Sequence, residues 1–187
     1  MEDELIQRAK DKDEAAFEEI IDTYKPIVER FAFQFGINQT NLGDIVQETF
    51  IKIYRKLHQY HTGKFSTWVY RITLNTTRDF YRKQKRDQAL VQKSMEQQKE
   101  KLPGGYYFER EEHLLLHECV QLLKPKYREP LILYYFHDRT YEEIGIILQI
   151  KLAAVKTRIH RAKGKLKEIY ESKDGKEAIG NEQQKYG

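Results

Sequence analysis

The sequence predicts an all-α protein made of two small helical bundles that a flexible linker joins. Apolar residues recur at three- and four-residue steps along most of the chain, which is the period of amphipathic helices, and no segment has the composition and alternation of a strand. The length of 187 residues suffices for one ordinary domain or two small ones. Residues 88–108 lose the periodicity and contain Pro103-Gly104-Gly105, so this stretch is the predicted linker.

The first bundle is predicted over residues 1–87. Apolar stripes at helical spacing run through Phe17–Phe35, Leu42–Leu57 and Phe65–Phe80. Asp13 and Asn41 are the predicted N-caps of the first two segments, and Ser66 is a candidate N-cap of the third. Pro26 is expected to open a new helix after a break, because proline fits the first helical position.

The second bundle is predicted over residues 109–171. Its helices are expected at about Glu111–Leu123, Tyr127–Phe136, Tyr141–Leu148 and Leu152–Tyr170. Thr140 and Glu143 have the spacing of a capping box, in which each side chain satisfies a backbone N–H of the other residue. A break at residues 149–151 separates the last two helices. The polar segment 172–187 is expected to be disordered.

Composition limits the classes of function. The formal net charge is only +4, but basic residues concentrate locally in a way that attracts polyanions. Cys119 is the single cysteine, which excludes an internal disulfide and a cysteine zinc site. There is no Gly-rich phosphate loop, metal-ligand spacing or nucleophile elbow, so we expect no catalytic residue, metal or cofactor, and no enzyme.

The N-terminal segment and the hydropathy of the chain bear on its location. Residues 1–10 are acidic and lack the basic and then apolar pattern of a signal peptide. No apolar run approaches the length that crosses a bilayer. We therefore expect a cytoplasmic protein that does not insert into a membrane.

The last helix of the second bundle has one apolar and one basic face. At 100° per residue the apolar side chains cluster on one side, which must pack on the preceding helices: Leu152, Val155, Ile159, Ala162, Leu166 and Ile169. The opposite side carries small residues and then long donors: Ala153, Lys156, Thr157, His160, Arg161 and Gly164. Such a face suits the major groove of DNA, although any packed helix pair is the common alternative.

The segment Tyr60–Arg86 interleaves aromatic and basic residues. Aromatic rings can stack on unpaired bases, which contributes about 1–3 kcal/mol for each base, while cations track the phosphates. The alternative is that several of these rings form a core, because Phe65, Trp68 and Phe80 share a helical face with aliphatic residues. By itself this pattern leaves both interpretations open.

Both halves of the chain resemble one family in the same order. Asp13–Phe17, Asp44–Phe50 and Phe65–Ile72 look like sigma region 2, and Leu123–Arg128, Thr140–Gly145 and Val155–Ala162 look like sigma region 4. The resemblance covers about residues 5–86 and 109–170, and no room remains for the other sigma regions. The chain therefore resembles the small extracytoplasmic-function (ECF) sigma factors of bacterial RNA polymerase.

The resemblance implies a role for particular residues. The residues that would dock on the clamp helices of the polymerase β′ subunit are Asp44, Gln47 and Glu48. The residues that would hold or border a base flipped out at the minus-ten element, or follow its backbone, are Lys56, Tyr60, Gly63, Lys64, Phe65, Asn75, Arg78 and Arg82. The residues that would contact the minus-thirty-five element are Lys156, Thr157, Arg158, His160 and Arg161, where Arg158 is expected at a phosphate or in packing.

The same resemblance implies the partners. They are core RNA polymerase, through its β′ clamp helices and its β flap, and promoter DNA in both duplex and single-stranded form. Many members are also held inactive by an anti-sigma factor, which is often membrane-anchored. Two positions depart from the family pattern, because Gln149 stands where glycine is frequent and Lys151 where proline is frequent. A conventional helix-turn-helix regulator that acts without polymerase docking is the alternative.

Overall fold

The computed structural model describes residues 2–91 and 111–184, and every regular element within them is a helix. The all-α prediction is therefore confirmed. The chain divides into two compact units, Met1–Pro103 and Gly104–Gly187, and the division falls inside the predicted linker. The aromatic residues Tyr106, Tyr107 and Phe108 lie outside the described residues.

The first unit contains four α-helices and one short 3₁₀ helix among its described residues. They are α1 (Glu2–Lys10), α2 (Glu14–Gln34), α3 (Gln39–Lys56), the 3₁₀ helix Leu57–Gln59, and α4 (Phe65–Val91). Asp13 caps α2 as predicted, because its carboxylate accepts a hydrogen bond from the Ala16 amide at 3.1 Å. The cap of α3 is Asn38, whose side-chain oxygen accepts from the Asn41 amide at 3.0 Å. The prediction of Asn41 as the cap is wrong because α3 begins at Gln39, three residues before the start that a cap at Asn41 implies.

Two further predictions about helix starts are wrong. Pro26 opens no new helix, because α2 continues through it. Tyr24, Val28 and Phe31 are buried on either side of the proline, and their packing offsets the one backbone hydrogen bond that it removes. Ser66 is inside the first turn of α4, and the backbone carbonyl of the preceding Lys64 accepts from the amides of that turn.

The core of the first unit lies between α2, α3 and α4, with α1 packed on α2. Its largest fully buried side chains include Ile20, Val28, Phe31, Ile37, Ile53, Phe65 and Leu74. Burial of one such side chain contributes about 1.5–3 kcal/mol. This packing holds α4 against the bundle. It leaves the outer side of α4 and residues 61–64 of the preceding segment exposed to solvent.

The second unit contains α5 (Glu111–Leu122), α6 (Pro125–Tyr135), α7 (Tyr141–Leu148) and α8 (Leu152–Gln184). Helix α8 packs on the other three. It continues to Gln184, whereas we expect disorder from residue 172. No proline follows Pro130, so no residue of that type interrupts the helix.

The apolar face of α8 is largely where the sequence predicts it. Val155, Ile159 and Ala162 are buried in the bundle. Leu152, in contrast, is 39% exposed. The prediction that it extends the buried stripe is wrong, because it is the first residue of the helix and leaves the face that the other helices cover.

Candidate nucleic-acid interface

Helix α7 begins with the predicted capping box. The Glu143 amide donates to the Thr140 hydroxyl oxygen at 3.2 Å, and the Thr140 amide donates to a Glu143 carboxylate oxygen at 2.9 Å. Two backbone donors that an α-helix leaves without partners are thereby satisfied. The box fixes the start of α7 at Tyr141.

The turn between α7 and α8 depends on a close backbone approach. Gln149 has φ 55° and ψ 46°, a left-handed conformation that glycine adopts with less strain. The Ile150 amide donates to the Gly145 carbonyl oxygen at 3.0 Å. A Cβ atom on Gly145 would lie only 3.0 Å from the Ile150 carbonyl oxygen. The lack of a side chain at Gly145 therefore permits the tight turn. Gln149 adopts the left-handed conformation of this turn, which is more strained for glutamine than for glycine.

The outer face of α8 is available to a ligand. The predicted contact residues Lys156, Thr157, His160 and Arg161 are exposed, and Arg158 is half-buried. The Thr157 hydroxyl donates to the Ala153 carbonyl at 2.9 Å, which holds it against its own helix. Within the described part of the chain, none of these residues forms a salt bridge with a carboxylate. The outer face of α8 is therefore positively charged and exposed, and it carries small side chains at its N-terminal end.

The segment before α4 is built around a buried ring. Tyr60 is 7% exposed, and its hydroxyl donates to the Gly63 carbonyl oxygen. Its ring packs edge-on against Phe65, with the centroids 5.1 Å apart, and Phe65 is 1% exposed. Gly63 has φ 95°, a conformation that suits glycine. Two of the residues predicted to hold a base are therefore part of the core, which agrees with the alternative interpretation of the aromatic pattern.

The other residues predicted for this site lie at the surface. Arg78 is half-buried, and five are exposed: Lys56, Gly63, Lys64, Asn75 and Arg82. Asn75, Arg78 and Arg82 share one face of α4, because they are three and seven residues apart. This face of α4 is polar and positive, and residues 61–64 of the loop that precedes α4 are exposed.

Arg82 is held by a carboxylate. Asp79 pairs with Arg82 on the same helix and with Lys52 of α3, whose Nζ atom lies 3.1 Å from a carboxylate oxygen. Burial raises the pKa of Asp79, but the hydrogen bonds from Lys52 and Arg82 more than offset this effect and hold the pKa below its ordinary value. Asp79 is thus ionised at neutral pH and neutralises part of the charge on this side of α4.

The structure also brings in a residue that the sequence analysis misses. The Nζ atom of Lys10, at the end of α1, donates to the Tyr60 carbonyl oxygen at 2.5 Å and lies 5.5 Å from the centroid of the Tyr60 ring. Burial raises the pKa of the Tyr60 hydroxyl, and Asp3 and Glu2 of α1 raise it further. Fifty residues separate Lys10 from Tyr60, so no local pattern could reveal this contact.

The predicted polymerase-docking residues lie on one exposed side of α3. Asp44, Gln47 and Glu48 are exposed, whereas Ile45 and Val46 between them are buried. Next to them α2 and α3 form an open groove of about 760 Å³. Its lining includes Phe17, Val46, Gln47, Phe50 and Tyr54. A polar edge beside an apolar groove is the composition of a protein-binding surface.

Comparison with protein families identifies both units. The family model of Sigma-70 region 2 matches residues 20–87, and that of Sigma-70 region 4 matches residues 113–166. The ECF RNA polymerase sigma factor SigW of Bacillus subtilis is 33% identical over 173 residues, which cover 87% of this chain and 92% of SigW. The chain belongs to the ECF sigma factors. The resemblance noted from the motifs is thereby confirmed.

Solved structures agree with this membership. CnrH, solved in complex with the cytosolic domain of CnrY, is 25% identical to this sigma factor, with a TM-score of 0.68 and coverage of 90% of this chain and 96% of CnrH. The sigma factor RpoE of Bartonella quintana, solved with the anti-sigma factor NepR, has the same fold, with a TM-score of 0.68 at 22% identity and coverage of 83% and 96%.

Helix α1 precedes the residues that the region 2 model matches, so Lys10 acts from outside the matched segment. Over the described ranges of this sigma factor, no group of three or more histidine, cysteine or carboxylate side chains is placed to hold a metal ion. Within the same ranges no helix combines the length and the apolar character that a membrane span requires.

Proposed function

We propose that this sigma factor binds core RNA polymerase, gives it specificity for a class of promoters and favours the opening of promoter DNA. The observation that carries the proposal is the pairing of two units that match sigma regions 2 and 4 in one chain. One unit has the open cationic face of a helix-turn-helix, and the other has a polar and positive surface beside a protein-binding groove. The protein makes and breaks no covalent bond in this function.

In the second unit, α8 enters the major groove of the minus-thirty-five element. Its first turns carry small side chains, followed by Lys156 and His160, whose donors can reach base edges, and by Thr157, whose hydroxyl oxygen can still accept a hydrogen bond. Arg158 is half-buried and contacts a phosphate or packs on the bundle. Because cations on this face release counterions from DNA, binding weakens steeply as the salt concentration rises.

In the first unit, the loop before α4 receives a base flipped from the non-template strand of the minus-ten element. The exposed residues Gly63, Lys64, Lys56 and Asn75 border the site. Tyr60 and Phe65 are buried, so they form its wall and do not stack freely on a base. Capture of a flipped base stabilises the melted state relative to the closed state.

The first unit also docks on polymerase. Asp44, Gln47 and Glu48 contact the clamp helices of the β′ subunit, and the groove beside them offers apolar area to the same partner. The second unit contacts the β flap. Exposed carboxylates at the edge of an apolar surface favour a basic partner and reject acidic surfaces.

A regulatory partner and a location belong to the same proposal. CnrH, at 25% identity, is solved with the cytosolic domain of a second protein, and we propose that an anti-sigma factor binds this chain and holds it inactive. We also propose that the protein acts in the cytoplasm, where core polymerase is found. A conventional helix-turn-helix regulator is not favoured, because it needs no region 2 unit.

The proposal is tested by transcription with purified components. The full chain, free of any inhibitor, is mixed with bacterial core RNA polymerase and a genomic promoter library. We expect a stable complex and start sites that share two upstream elements. Failure to bind polymerase, or binding without defined start sites, contradicts the proposal. Sequence-specific duplex binding by a dimer of this chain without polymerase supports the conventional regulator in its place.

A further inference from the structure

The exposed loop before α4, residues 61–64, is tied to the bundle through Tyr60. The Tyr60 amide donates to the Leu57 carbonyl oxygen at 3.0 Å, which places the start of the loop on the 3₁₀ helix. The Tyr60 hydroxyl donates to the Gly63 carbonyl oxygen, near the other end of the loop. One buried residue therefore fixes the loop near both of its ends, and any group that fixes Tyr60 also fixes the loop.

The side chain of Lys10 contacts Tyr60 in two ways. Its Nζ atom donates to the Tyr60 carbonyl oxygen at 2.5 Å and lies 5.5 Å from the centroid of the Tyr60 ring. The first contact is a charge-assisted hydrogen bond, and the second distance is within the range of a cation–π interaction. The carbonyl oxygen belongs to the peptide group that begins the loop. Lys10 therefore holds the loop at its first peptide group.

Helix α1, which carries Lys10, is anchored at both of its ends. At its N-terminal end the Glu2 carboxylate accepts a hydrogen bond from the Tyr24 hydroxyl. The Tyr24 ring packs edge-on against Phe65, with the centroids 5.3 Å apart. At its C-terminal end Lys10 contacts Tyr60. Both ends of α1 are thus connected to the two aromatic rings that wall the proposed base site.

A loop that is already ordered binds a base more tightly than one that must become ordered on binding. Fixing a backbone in one conformation costs entropy, and a preformed loop has lost that entropy before the base arrives. Lys10 is half-buried, and its ammonium group is directed to the backbone and the ring of Tyr60. These contacts favour a role in ordering the loop over direct contact with a phosphate.

We propose that Lys10 is a positioning residue for the minus-ten element, which holds residues 61–64 in the conformation that receives the flipped base. The proposal rests on the proposed function, because it requires this loop to bind a base. It gives α1 a role in strand opening, although α1 precedes the residues that match Sigma-70 region 2. Lys10 acts through Tyr60 and does not itself contact the base.

The test uses holoenzyme reconstituted from the full chain and core polymerase. The probes are the non-template single strand of the minus-ten element from a promoter that the wild type selects, and a set of strands in which each base in turn is replaced by an abasic site. Removal of the flipped base should cost the wild type at least about fivefold in affinity. K10M, which removes the ammonium group, should bind the intact strand at least about threefold more weakly than the wild type. On the strand that lacks the flipped base, the two proteins should bind equally.

The matched control is K12M, at an exposed lysine two residues further along the chain. It removes the same charge and should bind every probe as the wild type does. K10Q is a second variant that lacks the ammonium group, and it should reproduce the pattern of K10M. If K10M no longer binds core polymerase, the pattern of K10Q decides.

The proposal is overturned if the Lys10 variants keep wild-type affinity for the intact strand, if they weaken the intact and abasic strands equally, or if K12M has the same effect. Equal weakening, with a slope of log affinity against log salt that is smaller by about 0.7, would identify Lys10 as a phosphate contact. A wild-type holoenzyme whose affinity depends on no base of the strand contradicts the proposed function itself. A wild-type dependence on one base that the Lys10 variants leave intact removes only the role of Lys10.

Discussion

The two surfaces proposed to contact DNA differ in how their cations and rings are held. On the first unit Arg82 is paired with Asp79, and the rings of Tyr60 and Phe65 are buried. On the second unit Arg161 is exposed and forms no salt bridge with a carboxylate among the described residues. The positive charge of the second surface is therefore available to the phosphates of duplex DNA. On the first surface a carboxylate neutralises part of the charge, and buried aromatic rings form a rigid wall. A rigid wall of this kind suits capture of one unpaired base.

The burial of Tyr60 gives the largest expected effect. Tyr60→Ala should lower the free energy of unfolding by about 3 kcal/mol, because it leaves a cavity against Phe65 and removes the hydroxyl bond to Gly63. Chemical denaturation measures this change. Tyr54→Ala, at a ring that is 50% exposed, should cost about 1 kcal/mol or less. Equal losses of unfolding free energy in the two variants would contradict the role of Tyr60 as a rigid, buried wall of the site.

The turn of the second unit is tested through glycine. Gly145→Ala should destabilise by about 1–3 kcal/mol, because the new Cβ atom meets the Ile150 carbonyl oxygen at 3.0 Å. The matched control is Gly43→Ala in α3, where the Cβ atom meets nothing within 4 Å. That variant should stabilise by about 0.5–1 kcal/mol, since alanine favours a helix. Thermal unfolding of both variants measures these changes in stability. An increase in stability for Gly145→Ala would contradict the close backbone approach at this residue.

The two arginines are compared directly by alanine substitution. Arg161→Ala should weaken binding of holoenzyme to its promoter by about 1–2 kcal/mol, with most of the loss at one base pair. Arg82→Ala should cost less than about 0.5 kcal/mol, because Asp79 already neutralises that arginine. Equilibrium binding at a stated salt concentration gives both numbers. A larger loss for Arg82→Ala would reverse the comparison between the two surfaces.

Substitution of Asp79 should have the smallest effect on the affinity for DNA. This effect should be opposite in sign to that of the two arginine substitutions. Asp79→Asn removes the carboxylate that Lys52 and Arg82 share, and DNA binding should strengthen by up to about 0.5 kcal/mol. The dependence of log affinity on log salt should steepen by up to about 0.9. Glu118→Gln, which releases Lys173 in the other unit, serves as the control. Weaker binding by Asp79→Asn would indicate that the pair orients Arg82 for DNA.

Local patterns were sufficient for much of the fold. The limits of α7, the capping box at Thr140 and the buried side of α8 agree with the structure, because each depends on residues within about two turns of one helix. The same local information was ambiguous where two residues could equally be the N-cap of a helix, as Asn38 and Asn41 could at the start of α3. It was wrong at Pro26, where tertiary packing stabilises a continuous helix.

The sequence by itself determined the all-α class, the helix-turn-helix with its cationic outer face, and the family to which the chain belongs. Only the tertiary structure decided that the rings of Tyr60 and Phe65 are buried and that the side chain of Lys10 bonds to the backbone of Tyr60. The physical reason is range. Helical periodicity reports which side of one helix is buried, whereas the partner of a side chain on another helix depends on how the helices pack.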